Sequence, residues 1–174
     1  EFYNCDGSIA QMCGNGSRAA AMYAYHQGIA SYKQRFLTLA GVIDATLEEN
    51  VVESALSGVK VLQENICELG NTWALIDTGV PHLVCEKKNE LSKEDLRSLR
   101  HKYNANVNVA EILQDRVIAR TFERGVEDET LACGTGMAAM FYYLFSAGKI
   151  SNPCLFNPAS EEDLYLKESN QRLY

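Results

Sequence analysis

Two stretches of the chain read as helices, and short alternating segments between them read as strands. Residues 14–28 run Gly-Asn-Gly-Ser-Arg-Ala-Ala-Ala-Met-Tyr-Ala-Tyr-His-Gln-Gly, an alanine-rich helical pattern closed by a glycine. Residues 134–147 run Gly-Thr-Gly-Met-Ala-Ala-Met-Phe-Tyr-Tyr-Leu-Phe-Ser-Ala, which predicts a second, more apolar helix. A third helix opens at Ser92-Lys93-Glu94-Asp95 and runs to about Tyr103. Ser92 suits the N-cap, and the acids that follow suit the positive end of the helix. Residues 35–39, 42–47, 51–55, 59–63, 73–77 and 83–86 carry the period-2 or short apolar patterns of strands. Gly79-Val80-Pro81-His82 is expected to turn between the last two. Residues 107–113 and 117–122 predict a hairpin turning at Gln114-Asp115-Arg116. Residues 164–167 begin a strand, 168–171 form a turn, and the returning strand is expected to be cut short at Tyr174. Many short strands with three helices predict an α+β fold.

An internal repeat organises this pattern. Cys13-Gly14-Asn15-Gly16 leads into the helix that ends at Gly28, and Cys133-Gly134-Thr135-Gly136 into the one that ends at Gly148. The pairs Ala19/Ala139, Tyr23/Tyr143 and Ser31/Ser151 keep the same spacing as Cys13/Cys133. One short glycine motif could recur by chance, but a whole helical frame in register points to a duplicated unit.

Composition narrows the function. A chain of 174 residues with 47% hydrophobic and 22% charged residues is long enough to bury a core. Its formal net charge of -7, without a basic cluster, argues against a nucleic-acid or anionic-membrane partner. No apolar run approaches the roughly 20 residues that span a bilayer. The six cysteines form no CxxC pair and the three histidines are scattered, so no metal site is expected. The thiols are read as reduced, and the compartment as cytoplasmic.

The repeat also carries the candidate chemistry. Cys13 and Cys133 each stand where a helix begins. Unpaired N–H groups and the positive end of the helix dipole favour a thiolate there. The glycines let backbone amides face an anion without Cβ obstruction. Two such units facing one another would form a carboxylate site flanked by two thiols. One thiol could take a proton from one face of a carbon while the other delivers a proton to the opposite face. Two other readings stay open on the residues alone: a dithiol redox switch and a non-catalytic binding module. Cys5, Cys67, Cys85 and Cys154 lack the glycine frame and read as core.

Asn4-Cys5-Asp6-Gly7-Ser8, followed by Met12-Cys13-Gly14-Asn15-Gly16-Ser17-Arg18, closely resembles the first signature of the diaminopimelate epimerases. Thr121-Phe122-Glu123-Arg124-Gly125, followed by Ala132-Cys133-Gly134-Thr135-Gly136, resembles the second. Gly79-Val80-Pro81-His82 and Val107-Asn108-Val109 resemble two segments between them. The resemblance implies a cofactor-independent epimerase that interconverts LL- and meso-2,6-diaminopimelate. It implies two pseudo-symmetric lobes, each a mostly antiparallel sheet wrapped round a central helix. The expected division is residues 1–57 as a partial first lobe and 58–174 as the second, with the site between them.

The same resemblance implies roles. Cys13 and Cys133 would be the acid/base pair, with His82 and Glu123 near them setting protonation. Gly14, Asn15, Gly134 and Thr135 would bind the α-carboxylate. Asn4, Asn108, Glu123 and Arg124 would hold the α-amino group and the distal end. A homodimer is the expected assembly. Three departures stand out. Val80 replaces a common Asn, and the stretch 126–130 is one residue longer than usual. The family's opening segment, with a Gly-Asn-Asp-Phe motif, has no match, so a chain trimmed at both ends is expected. A proline-racemase-like enzyme is the alternative; Asn15, Arg18 and Glu123-Arg124-Gly125 argue against it.

Overall fold

The computed structural model describes residues 1–3, 7, 9–10, 12–56 and 58–174. Its first part runs β1 (Phe2–Tyr3), β2 (Ile9–Ala10), α1 (Gly14–His26), β3 (Lys33–Thr38), β4 (Gly41–Glu48) and β5 (Val51–Ser54). Next come β6 (Lys60–Glu68), β7 (Asn71–Asp77), β8 (Pro81–Glu86), α2 (Lys93–Tyr103), β9 (Asn106–Ile112) and β10 (Val117–Glu123). The rest is β11 (Asp128–Thr130), α3 (Gly134–Ser146), β12 (Cys154–Pro158), β13 (Leu164–Leu166), β14 (Glu168–Ser169) and β15 (Arg172–Leu173). The fold is α+β.

The large sheet has the order β13-β12-β10-β9-β8-β7-β6, with β11 added to β10. Its pairs are antiparallel except β8–β9 and β10–β12, which are parallel. Helix α3 packs on this sheet, and Met137, Ala138, Ala139, Met140, Phe141 and Leu144 are fully buried with Ile76, Val84, Ala110 and Phe156. A helix apolar on all sides needs such a surround. Helix α2 covers a second cluster of Trp73, Leu83, Leu96, Leu99 and Phe122. It is held at its start by a reciprocal pair: Ser92 Oγ accepts from the Asp95 N–H, and Asp95 accepts from the Ser92 N–H.

The first helix has a thinner coat. The sheet β3-β4-β5 covers one side of α1, and Ala21, Ala45 and Leu47 make the core between them. Only Gly14, Ser17 and Ala21 of α1 are buried. Its other flank lines an apolar groove of about 610 Å³ with Phe2, Ala20, Ala24, Phe36 and Leu37. The chain end is tied to the β3-β4-β5 part by the Leu56 N–H donating to Leu173 O and by Arg172 on Asp44.

The repeat is structural as well as textual. Cys13 and Cys133 are both N-caps with extended backbones, at φ −134°, ψ 118° and φ −131°, ψ 105°. Both helices have 13 residues. Gly28 and Gly148 leave them at φ +66° and +69°, a left-handed turn that glycine adopts without strain. Ser31 Oγ donates to Lys33 O and Ser151 Oγ to Pro153 O, so the copies still agree beyond the helices.

Several strands differ from expectation. His82 lies within β8 rather than in a turn, paired with Ile76 and Asn106. Strand β6 extends to Glu68, well past residue 63. It is an edge strand with two register shifts and a left-handed Asn65, so its exposed polar residues break the alternation. Residues 128–130 pair with β10, and 154–158 form an unpredicted strand. The segment at 164 pairs with β12, not with the chain end. The last hairpin is β14–β15, turning at Asn170 and Gln171, both at positive φ.

Candidate active site

The two duplicated helix starts face one another. A Cβ placed on Gly14 would lie 3.5 Å from the Gly134 Cα, and one on Gly134 would lie 3.6 Å from the Gly14 Cα. The two backbones therefore meet at ordinary van der Waals distance, which brings the first N–H groups of both helices to one place. Arg18 leans over it, its Nη1 3.8 Å and 3.6 Å from those two Cβ positions. Its Nη2 donates to Asn15 Oδ1 at 2.6 Å. Burial makes the guanidinium costlier to charge, while the neighbouring Cys13 and Glu162 favour its charge.

The thiols have unequal surroundings. Cys13 is exposed, and its Sγ accepts from the Gly16 N–H at 3.3 Å. Cys133 is 9% exposed. Burial, with the Glu123 carboxylate second, pushes its thiol up to about 11, against smaller opposing pulls from Thr135 and the Gly136 N–H. Glu123 is half-buried, and that burial raises its own carboxyl. Thr135 Oγ1 lies 3.6 Å from the Cys133 sulfur.

Behind Thr135 is a closed polar cluster. His82 is fully buried on β8, with Nε2 3.0 Å from Thr135 Oγ1 and Nδ1 3.0 Å from Asn108 Nδ2. Burial pushes its imidazole down to about 3, so the ring is neutral at neutral pH. Asn108 is fully buried on β9, and its Oδ1 accepts from Thr121 Oγ1 at 3.0 Å. The sequence reading put Asn108 against substrate, whereas here its amide is spent within the protein. A Cβ on Gly136 would fall 2.2 Å from Asn108 Oδ1, so the first turn of α3 rests directly on that amide.

The structure thus brings Cys13, Gly14, Asn15, Gly134, Thr135 and Cys133 together where the two helix starts meet, with Glu123 near Cys133 and His82 behind Thr135. Arg124 is exposed at the end of β10, its Nη1 donating to Asn104 O and its N–H to Asn106 Oδ1. Asn4 and Cys5 lie outside the described residues. Val80 places an apolar side chain in the turn before β8. Two residues escaped the sequence reading: Thr121, and Thr78, whose hydroxyl donates to Thr135 O at 2.9 Å and pins the start of α3. Thr121 stands in the second signature, but a threonine in a strand is an ordinary β-former and no role was read for it; Thr78 follows β7 outside every motif. Among the described residues no group of three metal-ligating side chains forms. No helix among them is long and apolar enough to cross a membrane.

Comparison with known proteins gives the chain's relatives. The family model described as "Diaminopimelate epimerase" matches residues 1–61. The "Diaminopimelate epimerase" of a Nitratiruptor species is 56% identical over the whole chain, which spans 71% of that protein. That of Campylobacter jejuni (strain RM1221) is 49% identical over the same shares, and that of Helicobacter pylori (strain Shi470) is 41% identical. Among solved structures, a Bacillus anthracis phenazine biosynthesis protein of the PhzF family aligns with a TM-score of 0.70 at 15% identity, covering 96% of this chain and 72% of that one. A hydroxyproline epimerase from Agrobacterium vitis aligns at 0.64 and 14%, covering 98% and 63%. These two show a shared fold.

Proposed function

The chain belongs to the diaminopimelate epimerase family, and from that premise we propose that it interconverts LL- and meso-2,6-diaminopimelate by proton transfer between two thiols. The carrying observation is the backbone contact of Gly14 with Gly134, which sets two cysteine-capped helix starts about one small space. The substrate α-carboxylate would lie against the amides of Gly14, Asn15, Gly134 and Thr135, where the helix ends favour an anion. One thiolate takes the α-proton from its face of the carbon. The other thiol gives a proton on the opposite face, and the configuration inverts. Charge moving onto the carboxylate during the transfer meets fixed amide donors, each worth roughly 2.7–4 kcal/mol in comparable sites.

The unequal thiols support an assignment at rest. Cys133, buried and beside Glu123, holds its proton and serves as the acid. Cys13, exposed and beside Arg18, serves as the base, and the roles exchange after each turnover. Glu123 faces the α-amino side and Arg124 offers its fork to the distal carboxylate. The first lobe is read as residues 1–57 and the second as 58–174, with the cleft between them, in a cytoplasmic enzyme.

The test is deuterium uptake at the α-carbon of diaminopimelate in D2O, followed by NMR under reducing conditions. Uptake by the full chain that vanishes in Cys13→Ala and in Cys133→Ala is the expected result. The same chain extended to the length of its relatives is the control. Absence of uptake in both chains would overturn the reading.

A further inference from the structure

We infer that Thr121 is a positioning residue for this site: its hydroxyl anchors the Asn108 amide at the head of a hydrogen-bond chain that runs through His82 and Thr135 and ends as a donor on Cys133 Sγ. The inference rests on the two-thiol reading above for its consequence, though not for its geometry.

The direction follows from what each group can give. Asn108 Nδ2 lies 3.4 Å from both Leu83 O and Asn106 O, and its Oδ1 lies 3.0 Å from Thr121 Oγ1. A flipped amide would press Oδ1 against two carbonyl oxygens, an acceptor against acceptors. Thr121 therefore donates to Oδ1, and Nδ2 donates to His82 Nδ1. A neutral imidazole whose Nδ1 accepts must carry its proton on Nε2. Nε2 then donates to Thr135 Oγ1 at 3.0 Å. With that lone pair used, the Thr135 hydroxyl turns its own proton to the Cys133 sulfur at 3.6 Å.

The consequence is a hydrogen bond that favours the Cys133 thiolate in a place that otherwise opposes it. The bonds to Thr121 and His82, both 3.0 Å, are shorter than the 3.4 Å bonds of the Asn108 amide to Leu83 O and Asn106 O. The charged groups that bear on the chain are Arg124 at His82, and Glu123 and Cys13 at Cys133. All of them stay in place when Thr121 is changed. His82 thus acts on the reaction without itself carrying a proton to substrate, by holding one hydroxyl in one orientation.

The experiment is a long-range proton–nitrogen NMR correlation on the full chain labelled at histidine, with His82 assigned by its absence in His82→Gln. In the unaltered protein His82 should show its proton on Nε2, unchanged between pH ~5.5 and ~8, where an ordinary histidine titrates. A proton on Nδ1, or a doubly protonated ring in that range, would overturn the inference. Thr121→Val leaves Asn108 Oδ1 without that donor, and should slow deuterium uptake at pH ~7 about tenfold, with the limb of the kcat/KM profile that Cys133 governs moved up by about one pH unit. Thr121→Ser should restore both. An unchanged limb in Thr121→Val would also overturn it. The tautomer is read without substrate, so it separates the two readings. Uptake with the wrong tautomer removes the chain of bonds and keeps the epimerase. The right tautomer without uptake does the reverse.

Discussion

Gly14 and Gly134 meet backbone to backbone, each Cα 3.5–3.6 Å from the place where the other's side chain would begin. The contact is ordinary in distance, so a methyl at either position fits without overlap. What the methyl takes is the space in front of the amides. Gly14→Ala and Gly134→Ala should therefore fold, with stability within about 1 kcal/mol of the parent, since alanine is the better helix residue. Their KM should rise about tenfold or more, equivalent to ~1.4 kcal/mol of lost substrate contact. Denaturant unfolding beside steady-state kinetics checks both halves. A large loss of stability with unchanged KM would place the anion site elsewhere.

Gly136 makes the opposite case on the same turn. Its Cβ would fall 2.2 Å from Asn108 Oδ1, which Thr121 holds from the far side. Neither helix nor amide has room to retreat, because Asn108 and Gly136 are both buried. Gly136→Ala should cost roughly 1–3 kcal/mol of stability by overpacking. A midpoint of urea unfolding equal to the parent's would show that Asn108 can move, against the closed cluster described above.

The duplicated glycine frame was legible because it repeats in sequence at a fixed spacing. The caps, the helix lengths and the glycine exits all followed from it. Helix α2 was legible from Ser92 and Asp95 alone. The rest depended on contacts between segments far apart in the chain. His82 follows a proline and reads locally as a turn, yet two neighbouring strands draw it into the sheet. Residues 154–158 include Asn157 and Pro158 and lack a strand pattern. They pair because β10 and β13 offer edges on either side. Thr121 could not be assigned from its letter, since its role exists only through Asn108, thirteen positions away.

Burial of His82 makes acid stability a test of the cluster. The ring is pushed down to about 3, below its ordinary value of 6.5. Below pH ~6.5 the unfolded chain takes up a proton there and the folded chain does not. The unfolded state then binds more protons, so stability falls as pH drops, by up to about 1.4 kcal/mol per pH unit, and levels off once the folded ring protonates. Urea midpoints measured between pH ~6.5 and ~4 should show this slope, and it should be shallower in His82→Gln. The slope is compared rather than the midpoint, because the substitution changes packing as well. An equal slope in both proteins would mean that His82 is protonated in the folded state.

The unequal thiols make a further prediction at the other end of the pH scale. Cys133 is pushed up to about 11, first by burial and then by Glu123. Thiolate is the reactive form, so the exposed Cys13 should be alkylated first. At pH ~8, iodoacetamide followed by peptide mass spectrometry should find Cys13 modified at least about tenfold faster than Cys133. Exposed Cys67, which lies outside the glycine frame, serves as the internal reference for simple access. Glu123→Gln removes the negative charge and leaves the burial, so Cys133 should react faster while Cys13 keeps its rate. If Cys133 is unmoved by that change, Glu123 exerts no effective charge on the sulfur. If Cys133 reacts before Cys13 in the parent, the resting roles of acid and base are the reverse of those assigned here.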